Sequence, residues 1–159
     1  MNFGHCLSET GMKLRKLLLA LALLHGGACF GASESRELSG LWMQMDDRDG
    51  RPRALIEIRP LGRRWAGRIA EVFMPPGAAP PVCVACTGAL RNRPMLQLEI
   101  LNVIAAGAAA WDGEILDPIS GTVYKCRLEI GKDTRFLEVR GYIGLPLIGR
   151  TQHWRRYGS

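Results

Sequence analysis

Apolar and polar residues alternate through most of the chain beyond Ser33. In "ALIEIR", Ala54, Ile56 and Ile58 face one way, while Glu57 and Arg59 face the other. In "TVYKCRLEI", Thr122, Tyr124, Cys126, Leu128 and Ile130 share one face, and Val123, Lys125, Arg127 and Glu129 the other. A period of two marks a half-buried strand. The same reading predicts strands over Gly40–Met45, Arg64–Phe73, Met95–Leu101, a short one in "WDGEILDP" that ends at Pro118, Phe136–Gly144, and the closing "RTQHWRRY". Between them "DDRDG", "PLGR", "ISG" and "GKDTR" are turn signals. Gly67 reads as a bend or bulge within its strand. Met74 to Pro94, with "PPGAAPPVCVACTG", reads as a long loop, because proline cannot donate to a sheet ladder. "NVIAAGAAA" stays open between two states: Asn102 can cap a short helix that the alanines favour, and Gly107 weakens it.

About eight short strands joined by tight turns predict an all-β protein. No long amphipathic helix separates them, which excludes parallel βαβ units. An antiparallel meander of this size has two exposed edges unless it closes, so the predicted fold is a closed or nearly closed antiparallel meander β-barrel. A sandwich is the alternative. A barrel of about eight strands is wide enough for side chains or one small ligand.

The chain has 159 residues, which predicts one folded domain behind any leader. Lys13, Arg15 and Lys16 precede "LLLALALL", Leu17 to Leu24, an apolar run too short to span a bilayer, and "HGGACFGAS" follows with small residues. Residues 1–32 therefore read as a signal peptide, with cleavage after Gly31 or Ala32 and a true start at Met12 as an option. Residues 33–159 form the expected mature domain, periplasmic or secreted. Cys29 offers a second reading, a lipid anchor, although Leu24 lies too far upstream for a good lipobox. Losing the leader removes Lys13, Arg15, Lys16 and Glu9 and lowers the formal charge from +6 to +4. The remaining cations are scattered among carboxylates with no run of five like charges, which argues against a nucleic-acid arm. No transmembrane segment is expected after the leader is removed.

Gly40-Leu41-Trp42 stands at the head of the first strand. A Gly-x-Trp there resembles the mark of lipocalins and their calycin relatives. The resemblance implies that Trp42 packs at the closed end against an arginine of the last strand, Arg156 or Arg155, in a cation–π contact, with Gly40 making room. A longer match covers nearly all of residues 38 to 156. "GLWMQMDDRDG", "GRIAEVF", "CVACTG" before "RPM", "WDGEILDPISGTVYKC" and "VRGYIGLPLIGRTQHWRR" resemble a family of small secreted bacterial proteins known only as a domain of unknown function, number 2147. That resemblance implies a lipocalin-like barrel and an extracytoplasmic place, and a ligand only by analogy. Cys126 stands where the family is expected to have no cysteine, and no function is drawn from it.

Several residues invite chemistry. Cys83 and Cys86 in an oxidising compartment are expected to form a disulfide that staples the proline-rich loop. A redox dithiol would need the first cysteine at a helix N-terminus, and no βαβ unit is present to supply one. Zinc would need about four ligands, and only Cys126 and His153 remain to complete a set, so no metal is expected. Cys126 reads as a buried inert thiol. His153, the only histidine after the leader, would have to serve any Ser-His-Asp arrangement with Ser120 and Asp117, but the chain has no Gly-x-Ser-x-Gly elbow. "DPISG" reads first as a hairpin turn, in which Asp117 bonds backbone amides and Gly121 takes positive φ, and second as a ligand-binding rim. "GYIGLPLIG" reads as a tight corner or as a flexible apolar lip at a pocket mouth. Arg140 and Tyr142 would anchor a carboxylate if they point inward, and Tyr124 and Trp111 complete the candidate ligand-binding set. Trp154 and Arg156 share a face opposite His153 and Arg155, and barrel closure by Gly40, Trp42, Trp154 and Arg156 explains that stretch better than a nucleic-acid platform. The expected function is binding of a small, partly apolar or amphipathic ligand, with no cofactor, no nucleic-acid partner and no catalysis. The alternatives are an envelope structural or interaction protein with a side-chain-filled barrel and loop 74–94 as its contact, and a thiol-redox or hydrolytic enzyme.

Overall fold

The alternating segments become eight strands: β1 (Gly40–Met45), β2 (Pro52–Leu61), β3 (Arg64–Val72), β4 (Glu99–Ala105), β5 (Ala110–Asp117), β6 (Thr122–Ile130), β7 (Phe136–Tyr142) and β8 (Gly149–Arg156). The computed structural model describes residues 38–158, all within the compact unit Gly31–Ser159. The expected leader and Cys29 lie outside the described residues. Each strand pairs antiparallel with the next, and β1 pairs antiparallel with β8, so the sheet is a closed barrel. Among the described residues, closure gives every strand a partner on both sides.

Residues opposite one another in a ladder share a face, and the registers trace the interior. One row runs Ile58, Gly67, Leu101, Ile115, Tyr124. Another runs Val103, Gly113, Cys126, Gly141, Arg150. A third runs Trp111, Leu128, Val139, Gln152. Connections alternate between the two ends of such a meander. The loops after β1, β3, β5 and β7 gather at one end, the mouth. The turns after β2, β4 and β6 gather at the other with the start of β1 and the end of β8.

That second end is filled. Trp42, Trp111 and Trp154 are fully buried with Ile56, Ile58, Leu101, Val103, Leu128 and Leu137. Trp65 meets Trp111 edge-on, ring centroids 6.1 Å apart. Trp42 Nε1 donates to the Leu38 carbonyl at 2.9 Å, and Trp154 Nε1 donates to Gln152 Oε1 at 3.2 Å. Closure is held by side chains as well as by ladder bonds. Trp42 and Arg156 are Cα partners, and the Arg156 guanidinium lies 4.1 Å from the centre of the Trp42 ring. The same guanidinium donates through Nη1 to the Ser39 carbonyl at 3.1 Å and through Nε to the Thr134 carbonyl at 3.2 Å. Arg155 instead stands exposed opposite Met43. Gly40 opens β1 opposite Ile58.

Two segments differ from their sequence reading. The strand expected over Met95–Leu101 starts only at Glu99. Met95 to Leu98 form a turn in which Gln97 takes a φ of +64°. Its amide donates to the Ile69 carbonyl at 2.8 Å, and the Ile69 amide donates to the Leu98 carbonyl at 3.1 Å, so the turn is stitched to β3. Met95 and Leu98 are buried there, so the apolar spacing reflects packing of a turn rather than a strand face. "NVIAAGAAA" forms no helix: Asn102 to Ala105 continue β4 between β3 and β5, and a turn leads into β5 at Ala110. Ladder bonds on both sides and burial of Val103 outweigh the helix preference of alanine, which is well below 1 kcal/mol per residue over most others.

Candidate functional site

The mouth is built on two turns that grip each other. In the β5–β6 turn, Asp117 Oδ1 accepts from the Ile119 amide at 2.9 Å and Oδ2 from the Ser120 hydroxyl at 2.8 Å. Ser120 Oγ accepts in turn from the Thr122 amide at 3.3 Å, and the Gly121 amide donates to the Asp117 carbonyl at 2.8 Å. Aspartate and serine are here because their short side chains bond local backbone. Cys83 and Cys86 form a disulfide with Cα atoms 5.4 Å apart, and both are buried. The loop they staple lies on that turn. Cys83 Sγ is 3.1 Å from the Pro118 carbonyl oxygen, a packing approach because a disulfide sulfur has no proton to donate. The Ala85 carbonyl stands so close to Gly121 that a Cβ there would lie 2.2 Å from its oxygen.

Beside this corner the barrel interior opens into a pocket of about 200 Å³ between β5, β6, β7 and β8. Ile115, Val139 and Gly141 give it apolar walls, and Tyr124, Gln152, Arg150 and Asp117 supply polar groups. Gln152 Oε1 accepts from Gln44 Nε2 at 3.1 Å across the β1–β8 seam. Arg150 at the rim donates through Nε and Nη2 to Asp47 Oδ2, at 2.9 and 2.6 Å. That ion pair ties the β1–β2 loop to the start of β8. Its cation is solvent-exposed, so a ligand anion can compete for it at small cost.

Of the four candidate ligand residues, the structure brings one, Tyr124, to this pocket. Trp111 is buried in the filled end against Trp65 and does not line the pocket. Arg140 and Tyr142 sit on the outer face of β7, because Leu137, Val139 and Gly141 hold the inner one. Arg140 braces the β7–β8 connection. It donates to the Pro146 carbonyl at 2.9 Å, the Leu147 carbonyl at 3.2 Å and Thr151 Oγ1 at 2.8 Å. Sequence reasoning missed Ile115, Val139, Gly141, Arg150 and Gln152. The apolar alternation Leu137, Val139, Gly141 carried the signal for two of them.

The residues named for hydrolytic and redox chemistry stand apart. His153 lies on the outer face of β8, 3.8 Å from the Glu138 carboxylate, in a hollow shared with Asp133 and Phe136 at the filled end. Ser120 and Asp117 are at the mouth, so the three do not meet. The buried Cys83 precedes only a single 3₁₀ turn, Gly88–Leu90, and stands at no α-helix start. Among the described residues no polar or charged side chain is buried, and no group of His, Cys, Asp or Glu is placed to hold a metal.

Cys126 is buried on the inner face, and its thiol is pushed up to about 12, first by burial and then by the Asp112 and Glu114 charges. The thiolate is the reactive form. In native protein at neutral pH, Cys126 is therefore expected to resist iodoacetamide and to label only once denaturant opens the barrel. Rapid native labelling, read by intact mass, would refute this packing.

Comparison with curated proteins returns no match. Among solved structures, a Helicobacter pylori protein, HP1028, described as belonging to the lipocalin family, superposes with a TM-score of 0.65 at 17% identity. The alignment covers 76% of this chain and 83% of that one, and at such identity it speaks for the fold. The profile of a bacterial family matches residues 40–156, from the first strand through the last. Closed eight-strand barrel and family match agree: the chain belongs to the family described as "Uncharacterized protein conserved in bacteria (DUF2147)" and folds as a lipocalin-like barrel.

Proposed function

We propose that this protein is an exported, non-catalytic carrier that takes a compact, partly apolar molecule with one anionic end into the barrel mouth. The pocket carries the reading: apolar walls from Ile115 and Val139 lead to the Arg150 guanidinium, with Tyr124 and Gln152 between them. Its volume of about 200 Å³ lies below the ~300–1,000 Å³ of ordinary ligand sites. The occupant is therefore a short-chain acid or a molecule of similar bulk rather than a large lipid. The leader-like residues 1–32 and the Cys83–Cys86 disulfide support export, since such bonds persist in oxidising compartments.

Gly141 provides the test. A Cβ there would meet Tyr124 Cβ at 3.7 Å and Ile115 Cγ2 at 3.9 Å, ordinary contact distances, and Gly141 lines the pocket, so a valine side chain is expected to take up its space. Calorimetric titration with straight-chain carboxylates from butanoate to decanoate is expected to show binding with an optimum chain length. Gly141→Val is expected to weaken it about tenfold or more without lowering the unfolding temperature. No binding by any chain length, or equal affinity in the variant, would refute the pocket as the site. A second reading, an envelope interaction protein, draws on the tryptophan-filled half of the interior.

A further inference from the structure

The connection between β7 and β8 carries the most exposed aliphatic side chain among the described residues, Leu147. Residues 141–149, "GYIGLPLIG", contain no Asp, Glu, Lys or Arg. Ile143, Leu145, Leu147 and Ile148 are exposed, Leu147 to 90%. Ile119, at the tip of the neighbouring mouth turn, is exposed to 76%. Solvent-facing apolar side chains on one end of a protein point to an apolar partner. This turn is also held ready: Arg140 bonds the Pro146 and Leu147 carbonyls, and Pro146 to Ile148 form a 3₁₀ turn.

The surrounding charge says what kind of partner. Lys125 is exposed on the outer face of β6, directly opposite Tyr142 at the base of the turn, and makes no ion pair among the described residues. Arg140 and Arg150 flank the apolar run on either side. Four aliphatic side chains on one narrow turn fall short of the ~800 Å² that each partner contributes to a standard protein interface. Interfacial segments that dip into a headgroup layer combine such an apolar wedge with a basic border. The mouth pocket, lined by Gly141 and Arg150, opens beside it.

We propose that the mouth end of the barrel docks on an anionic phospholipid surface, with Ile143, Leu145, Leu147 and Ile148 inserted among the headgroups and Lys125 facing lipid phosphate. This surface does not depend on the pocket being a ligand site. Residues 38–158 include no helix long and apolar enough to cross a membrane, and docking of this kind needs none.

The test is flotation of the full protein with vesicles of mixed phosphatidylethanolamine and phosphatidylglycerol, against vesicles of phosphatidylcholine alone. Binding is expected to favour the anionic vesicles and to weaken with salt. Leu147→Glu with Ile148→Glu is expected to reduce flotation about tenfold or more. Both side chains already face solvent, so the unfolding temperature and carboxylate titration should match the parent. Lys125→Glu should reduce flotation less and flatten its salt dependence. No flotation, equal flotation with both vesicle types, or flotation that survives the double substitution would overturn the proposal. So would self-association abolished by the double substitution in a protein that never floats, which would make the turn a contact between copies. Failure here with Gly141→Val still blocking carboxylates would leave the pocket reading standing, and the converse result would leave docking standing.

Discussion

Trp42→Ala is expected to destabilise the barrel by about 4 kcal/mol, the range for deleting a large buried aromatic. Trp42 is fully buried, and its indole nitrogen is bonded to Leu38. Its ring lies under the Arg156 guanidinium where β1 meets β8. The β1–β8 ladder pairs only Trp42 with Arg156 and Met43 with Arg155, so this seam relies on side chains more than the others do. For a domain of this size the loss corresponds to roughly 15 °C in the unfolding midpoint. It also removes a large share of the ~5–15 kcal/mol that a domain usually has. Trp42→Phe keeps a ring beneath the cation and should lose about half as much. Calorimetry decides: a midpoint shift of only a few degrees for the alanine variant would mean that Trp42 does not hold the seam.

Gly121→Ala is expected to destabilise by about 3 kcal/mol and to loosen the disulfide loop. Two effects add. The backbone φ is +71°, which a residue with a Cβ adopts at a cost of about 1 kcal/mol. The new Cβ would also lie 2.2 Å from the Ala85 oxygen and 2.5 Å from its carbonyl carbon, and backbone atoms cannot rotate aside. Gly50 separates these effects: its φ is +66°, and nothing stands within 4 Å of a Cβ there. Gly50→Ala should therefore lose only the conformational part, about 1 kcal/mol. Denaturant melts of both variants, with the rate at which dithiothreitol reduces Cys83–Cys86, measure the difference. Equal losses in the two variants, with unchanged reduction rates, would show that the loop does not rest on the turn.

The mouth explains why two separate sequence signatures belong together. "CVAC" is a loop staple and "DPISG" a turn when each is read alone. In the fold they form one corner, with Cys83 against Pro118 and Ala85 against Gly121. Neither contact leaves a trace in periodicity, because each side already has a sufficient local reason for its residues. The Arg150–Asp47 pair is similar. Asp47 reads as part of the "DDRDG" turn, and its partner lies across the barrel seam.

β7 shows where legibility ended. Leu137, Val139 and Gly141 alternate with Glu138, Arg140 and Tyr142, so its two faces are separable on paper. The alternation does not fix which face is inner, because Gly141 contributes no apolar side chain and Tyr142 can serve either side. Pairing of Val139 with Leu128 and of Leu137 with Trp154 settles it and sends Arg140 outward to brace the apolar turn.

From the residues alone follow the strand count, the antiparallel order and the Cys83–Cys86 bond, while the meeting of "GLW" with "HWRR" is what the lipocalin resemblance implies. Each rests on period-two burial, on turn chemistry or on a motif that a few adjacent residues carry. The tertiary structure alone decided that tryptophans fill one half of the interior, that Ile115, Val139, Gly141, Arg150 and Gln152 line what space remains, and that Met95 to Leu98 turn instead of pairing. A pocket is the volume left after side chains from non-adjacent strands have packed. That volume depends on ladder register across the whole barrel, which no local stretch of sequence encodes.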